Sequence, residues 1–232
     1  MKTLTTVLAS AVTPLYESLL DDLDVLSEPI SPKIIKDEIK QFLKANYVTP
    51  SKFRISRKPN ENGYYEVEHP GRIIFQGQTE SLTNGKFVFV NCQSFSIQSA
   101  HKLKNLIGSP KEVKYGFHVF NCNGLESLEG ITEKTGFGYG LHISDCYKLK
   151  TLQGMPEKAH HVVVYYCNGL TDLTGAPKEV EMDFKLYKCQ NLKSLQGAPK
   201  KVGGKFVCEK CNNFTVEDMK KVTDAGEYKT IE

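Results

Sequence analysis

The stretch from residue 162 to 180, "VVVYYCNGLTDLTGAPKEV", contains the unit on which the fold rests. Val162 and Val164 alternate with Val163, so two apolar side chains point to one face of a short strand. Cys167 follows, then Leu170 and Leu173, then Gly175 and Pro177, which break regular structure and send the chain back. The order recurs in "FNCNGLESLEG" (120–130), "ISDCYKLKTLQG" (143–154) and "LYKCQNLKSLQG" (186–197). A looser copy runs from "VNCQSF" to "HKLKNLIG", within 90–108. The closing glycines Gly108, Gly130, Gly154, Gly175 and Gly197 are 22, 24, 21 and 22 residues apart. Leu103/Leu106, Leu125/Leu128, Leu149/Leu152, Leu170/Leu173 and Leu192/Leu195 keep the same phase.

The unit is an apolar pair spaced by one, a cysteine, two leucines three apart, a glycine, a proline and a small apolar residue. Its apolar pairs are Phe87/Phe89, Phe117/Val119, Leu141/Ile143, Val162/Val164, Phe184/Leu186 and Phe206/Cys208. One coil of about 22 residues cannot bury its apolar face alone, but stacked coils share one core with their strands in a parallel sheet. The pattern therefore predicts a β-rich solenoid over residues 86 to 214. The same period resolves the C-x-x-C of "KFVCEKCNNF" (205–214), which taken alone suits zinc or redox chemistry. Cys211 lies 22 residues after Cys189, so it becomes the last rung of a ladder of Cys92, Cys122, Cys146, Cys167, Cys189 and Cys211. Cys208 fills an inward strand position. The structural reading predominates: buried free cysteines, each able to donate weakly to a turn carbonyl.

The strand followed by Cys-x-x-Leu resembles a leucine-rich repeat whose ladder position is cysteine, and the short, proline-bearing return resembles the compact leucine-rich repeats of bacterial effector proteins. The combination "GAPKEV" with the Cys and Leu pattern resembles repeat proteins encoded by tailed bacteriophages. "LYESLLDDLDVL" (15–26) and "IKQFLKANY" (39–47) look like the segments preceding such repeats. None of these resemblances implies a catalytic motif.

Flanking segments should cap the stack. Residues 32–85 form the expected N-terminal cap: "PKIIKDEIKQFLKANY" sets Ile35, Ile39, Phe42 and Leu43 on one helical face after Ser31 as N-cap, and "KFRISR" and "YYEVEH" form a hairpin around "KPNENG". Residues 215–232 supply a C-terminal helix, started by Thr215 with Asp218 as a capping box, and a tail. Residues 1–31 are read as helical or flexible, with Leu15, Leu19, Leu20 and Leu23 on the apolar side and Glu17, Asp21, Asp22 and Asp24 solvated. Leu15-Tyr16-Glu17 and Leu26-Ser27-Glu28 resemble sites cut by maturation proteases of large phages, which implies a capsid-targeting peptide.

Composition excludes several classes. A net charge of +3 does not argue for nucleic acid or an anionic membrane, and no stretch approaches the ~20 apolar residues of a transmembrane helix. The apolar run of the first residues is broken by Thr3, Thr5 and Thr6, unlike a secretion signal, and seven cysteines suit a reducing compartment. The expected location is the cytoplasm of a bacterial host, or a virion. No Ser/His/Asp order, phosphate loop or H-E-x-x-H helix occurs, and "GFGYG" (136–140) precedes a strand rather than opening a helix. The reading is non-enzymatic, with no cofactor.

Function should then lie on side chains that alternation sends outward. One column holds Val88, His118, His142, Val163, Lys185 and Val207; the next holds Val90, Phe120, Ser144, Tyr165, Tyr187 and Glu209. Adjacent apolar columns facing water mark an interface, and tyrosines flanked by Lys185 and Lys188 fit hot-spot chemistry. Phe120, Tyr165, Tyr187, His118, His142, Val163, Lys185 and Lys188 are the candidate protein-binding residues. His118, His142 and His161 form a weaker metal candidate. The leading expectation is a phage-encoded module that binds a host or phage protein. A virion or assembly component packing its apolar face in a homo-oligomer is the first rival, and an enzyme with an unrecognised site is the second.

Overall fold

The computed structural model describes residues 32–46, 48, 53–135, 138 and 140–231. The expectations for residues 1–31, Ser31 included, and for most of "GFGYG" lie outside these residues. The chain divides into two compact units, Met1–Ile35 and Lys36–Glu232, and the solenoid belongs to the second.

Helix α1 spans Pro32–Ala45. Its Ile39 and Leu43 are fully buried, and Phe42 packs edge-on to Phe87 with ring centroids 5.6 Å apart. Strand β1 (Arg54–Ile55) runs antiparallel to the start of β2 (Tyr65–Gln76), Arg54 opposite Glu68, as the hairpin reading expects. Asn60 closes the turn between them, its side-chain oxygen accepting from the N–H groups of Asn62 and Tyr64.

From β2 onward each coil adds one strand to a parallel stack: β3 (Phe87–Gln98), β4 (Glu112–Phe120), β6 (Gly140–Ser144), β8 (Val162–Tyr165), β10 (Phe184–Tyr187) and β11 (Lys201–Glu209). The short strands β5 (Lys134–Thr135), β7 (Lys158–Ala159) and β9 (Glu179–Val180) line the return side of the coils. The result is a β-solenoid of about seven turns. Register is strict: Ile73, Phe95, Phe117, Leu141, Val162, Phe184 and Phe206 form one inward row, all fully buried. Phe75, Ile97, Val119, Ile143, Val164, Leu186 and Cys208 form the second.

The repeat residues act through the turns they close. After each strand one residue adopts left-handed backbone geometry: Ser99, Asn121, Asp145, Tyr166, Lys188 and Lys210, with φ between 53° and 55°. Outside glycine such a conformation costs roughly 1–2 kcal/mol. It persists because it aims each N–H at the next coil; Asn121, Asp145, Tyr166 and Lys188 donate to the carbonyls of Ser144, Tyr165, Tyr187 and Glu209 at 2.7–3.0 Å. The ladder cysteine then turns inward, and the first leucine closes a tight turn, as when Leu125 N donates to Cys122 O at 3.0 Å. The second leucine accepts in the next turn, where Ala176 N donates to Leu173 O at 3.0 Å. That turn needs glycine twice over. Gly175 has φ +88°, and a Cβ there would sit 2.2 Å from the backbone nitrogen of Gln153 in the coil below.

All seven thiols are free and buried. The ladder donors behave as expected: Cys122, Cys146, Cys167, Cys189 and Cys211 each reach the carbonyl two residues back, at 3.2–3.6 Å. Burial pushes the Cys92 and Cys122 thiols up to about 12, so these thiols stay protonated and inert.

The first coils depart from the sequence reading. Cys92 is not a ladder rung. It pairs with Val113 on the return side, and Ala100, fully buried, takes the ladder position. Phe87 and Phe89 likewise align with Tyr65 and Val67, while Phe95 and Ile97 occupy the row of Phe117 and Val119. The physical reason is strand length. β2 and β3 each run for 12 residues around the corner between the two sides, bending at register shifts near His69–Arg72 and Cys92–Ser94. A loose match to the repeat thus slipped eight residues out of phase.

At the other end Thr215 caps α2 (Val216–Val222) in the capping box read from sequence, and Met219 plugs the core with no exposed surface. The chain does not trail off there. It adds β12 (Asp224–Ile231), parallel to β11.

Candidate binding face

The outward face of the long sheet is built by register. Opposite Phe120 in one column stand Gln98, Ser144, Tyr165, Tyr187 and Glu209; opposite His118 in the neighbouring column stand Ser96, His142, Val163, Lys185 and Val207. The slipped phase has a direct consequence here. Val88 and Val90 are not in these columns, Val88 lying instead beside Glu66, and Ser96 and Gln98 hold the places assigned to them. The face is therefore more polar at its N-terminal side than the sequence suggests, with apolar character concentrated from Phe120 onward.

Two clusters emerge. Around β8 and β10, the rings of Tyr165 and Tyr187 lie tilted against each other across coils with centroids 6.2 Å apart, and Tyr166 stands edge-on to Tyr165 at 5.0 Å. Lys188 ties them together. Its Nζ donates to the Tyr165 hydroxyl at 3.0 Å and lies over the rings of Tyr165 and Tyr166, 5.4 and 5.0 Å from their centroids. The hydrogen bond to Tyr165 raises the Lys188 pKa and keeps the ammonium charged. Beside them Lys185 pairs with Asp183 at 2.7 Å, and Asp183 also accepts from Lys205 N at 2.8 Å. Burial acts against ionisation of Asp183, but these partners outweigh it and hold its carboxyl below the ordinary range.

The second cluster is a groove of ≈450 Å³ bordered by Arg72, Ser96, Gln98, His118, Phe120 and His142. Phe120 stands at its margin with half its surface exposed. The rings of His118 and His142 lie 5.7 Å apart on adjacent coils. Burial lowers both pKa values below the ordinary 6.5, with His142 and then Arg72 adding to the effect at His118 and Asp145 opposing it at His142, which favours the neutral form of both rings.

Of the eight candidate residues, Tyr165, Tyr187 and Lys188 come together in one cluster, with Val163 and Lys185 in the neighbouring column. His118, His142 and Phe120 share the groove. His161 does not join the histidine pair in their column: it precedes β8, and its carbonyl accepts from Leu141 N at 2.8 Å. No group of three or more histidine, cysteine or acidic side chains converges to hold a metal among the described residues. Sequence reasoning missed Tyr166 and Asp183. Both were findable from the period, since Tyr166 directly precedes a ladder cysteine and Asp183 directly precedes an apolar pair.

No helix among the described residues is long and apolar enough to cross a membrane. Compared with models of known protein families, with curated proteins and with solved structures, the chain matches none.

Proposed function

We propose that this protein is a non-enzymatic, phage-encoded binding module that engages a host or phage protein through the sheet face running from Phe120 to Lys188. The observation that carries the reading is the Tyr165–Tyr166–Tyr187–Lys188 cluster, an aromatic platform with a fixed ammonium on a sheet of strict register. Tyrosine offers large contact area with few rotatable bonds, and its cost of ordering is already met when neighbours hold it in place. Phe120, half exposed on the same column, extends the apolar strip. The phage assignment, and with it action in the bacterial cytoplasm or a virion, is supported by the resemblance of the repeat segments to phage-encoded repeat proteins.

The test is capture from bacterial lysate with tagged full-length chain, wild type against a Phe120→Ser/Tyr165→Ser/Tyr187→Ser variant. All three side chains point outward, so circular dichroism of the variant should match wild type. A partner held by wild type and released by the folded variant, then reproduced with the purified partner, supports the reading. Identical capture by both proteins overturns it. Self-association lost in the variant would favour an assembly component that packs this face in an oligomer.

A further inference from the structure

Among the described residues, β12 is an edge strand of the sheet. β12 pairs with β11 along one side, and no described residue pairs with its other side. Ile231 O accepts from Lys210 N, so by strand alternation Glu227, Lys229 and Ile231 turn their backbone groups toward β11. Tyr228 and Thr230 therefore turn theirs outward. Edges of this kind are normally blunted by proline, a bulge, an inward charge or charged side chains along the edge. The stretch from Glu227 to Ile231 has no proline, bulge or inward charge: its register with Lys205–Glu209 is unbroken. Its two charges, Glu227 and Lys229, are of opposite sign and project from the outer face beside Lys205 and Val207, where they deter a like-charged register and favour a complementary one.

We propose that β12 is a self-complementary edge on which a second copy of this chain docks antiparallel, joining two solenoids into one continuous sheet. The charges select the register. Centred on Tyr228, Tyr228 meets its equivalent as a hydrogen-bonded pair, and Glu227 lies opposite Lys229 of the second copy, twice over by symmetry. These are non-hydrogen-bonded pairs, where side chains approach most closely. A shift of the centre to Lys229 would set two lysines directly opposite each other, which is unfavourable. Glu227 also pairs with Lys205 of its own chain at 2.8 Å, whereas Lys229 has no ion pair among the described residues, leaving its ammonium available. The two-fold axis of such a pair stands perpendicular to the sheet, so both copies present their outward columns on the same side. The dimer thereby doubles the face described above and gives it avidity for a repeated or dimeric partner. Pairing through this edge is independent of what that face binds.

The experiment is sedimentation velocity of the full chain over a wide concentration range. Wild type should sediment at twice the 26.1 kDa monomer mass at the upper concentrations. Lys229→Glu should weaken dimerisation about tenfold or more, because each favourable cross-pair becomes a repulsive one. The exchange Glu227→Lys/Lys229→Glu should restore it. Thr230→Pro removes only an edge-facing N–H, a position where proline is tolerated, and should give a folded monomer. The Phe120/Tyr165/Tyr187 variant should remain dimeric, which separates this surface from the face. A wild type that stays monomeric throughout overturns the proposal. So does a dimer that survives both Lys229→Glu and Thr230→Pro.

Discussion

The N-terminal coils of the stack and the coils from β6 to β10 solve the same packing problem in different ways. In the N-terminal coils, the 12-residue strands β2 and β3 bend around the corner and fill the interior with aromatic rings: Phe75, Phe87, Phe89 and Phe95 touch in a chain, with centroids 5.2–6.1 Å apart. In β6, β8 and β10 the strands of the long sheet shrink to four or five residues, and the corners are made by fixed turns with a cysteine, two leucines and a glycine. The first region relies on volume and the second on backbone geometry. Bulky side chains tolerate variation in register and turn type, whereas a left-handed turn followed by a buried thiol imposes one spacing. That difference explains why the repeat is plain in one half and blurred in the other.

The largest effect expected from this contrast is at Phe89. Phe89→Ala should cost about 3–5 kcal/mol. Because a solenoid is stabilised coil by coil, hydrogen exchange should show protection lost in β2 and β3 and kept from β8 to β11. Uniform loss would show that the stack unfolds as one unit and that the two halves are not separate in energy.

Gly175 gives the reciprocal test. Gly175→Ala combines a left-handed backbone with a backbone clash in the coil below, and about 3 kcal/mol or more is expected, seen by urea denaturation. Gly63 has a similar φ of +80° but no atom within 4 Å of an added Cβ, so Gly63→Ala should cost only about 1 kcal/mol. Equal costs would assign the requirement to φ alone rather than to coil contact.

The cysteines sharpen the comparison further. Cys167→Ser places a hydroxyl where the thiol already reaches the carbonyls of Tyr165 and Ile143, at 3.5 and 3.9 Å. Cys92 has no such acceptor among the described residues, so Cys92→Ser buries an unsatisfied hydroxyl. The second should be the more destabilising by roughly 1 kcal/mol, again by denaturant titration. The reverse order would remove the functional distinction between ladder and non-ladder thiols.

Where the two regions meet stands the histidine pair, His118 on β4 and His142 on β6. Burial lowers the pKa of His118 and His142 in the folded state relative to the ordinary 6.5. Below that pH the unfolded chain binds more protons than the folded one, so stability is fully present above about 6.5 and falls as pH drops. Thermal unfolding at pH 7 and pH 5 should show this loss, and His118→Gln/His142→Gln should reduce it, leaving the part contributed by His161, whose pKa burial also lowers. A pH response unchanged in that variant would place the titrating groups elsewhere.

The smallest effect belongs to the ion pairs that link successive coils, such as Lys134 with Glu112 at 3.0 Å and Lys158 with Glu179 at 2.9 Å. Both are largely exposed. Removing either by Lys→Ala should change stability by under about 1 kcal/mol and lose even that in high salt. A larger cost would mean that these columns, and not the turns, set the spacing of the C-terminal coils.

Much of this architecture is legible in the order of the amino acids. The period of about 22, the leucine pairs and the closing glycines are local requirements, each tied to a turn that only certain residues can make. They specify the solenoid, the inward rows from Phe117 to Cys208, the role of Cys211, and the outward columns holding Phe120, Tyr165 and Tyr187. Other features have no local signature. Ser99, Asn121, Asp145, Tyr166, Lys188 and Lys210 share a left-handed backbone but no chemistry, since the conformation is enforced by hydrogen bonds to the next coil rather than by the residue. The phase of the first coils is set by how β2 and β3 pair, so Cys92 and Phe87 take their places only through their partners, Val113 and Tyr65. The Lys188–Tyr165–Tyr166 contact and the open edge of β12 belong to neighbouring coils rather than to adjacent residues. What each coil buries is thus written into its own 22 or so residues. Which coil stands beside which, and in what phase, is settled in three dimensions, by backbone hydrogen bonds and contacts between residues about 22 positions apart.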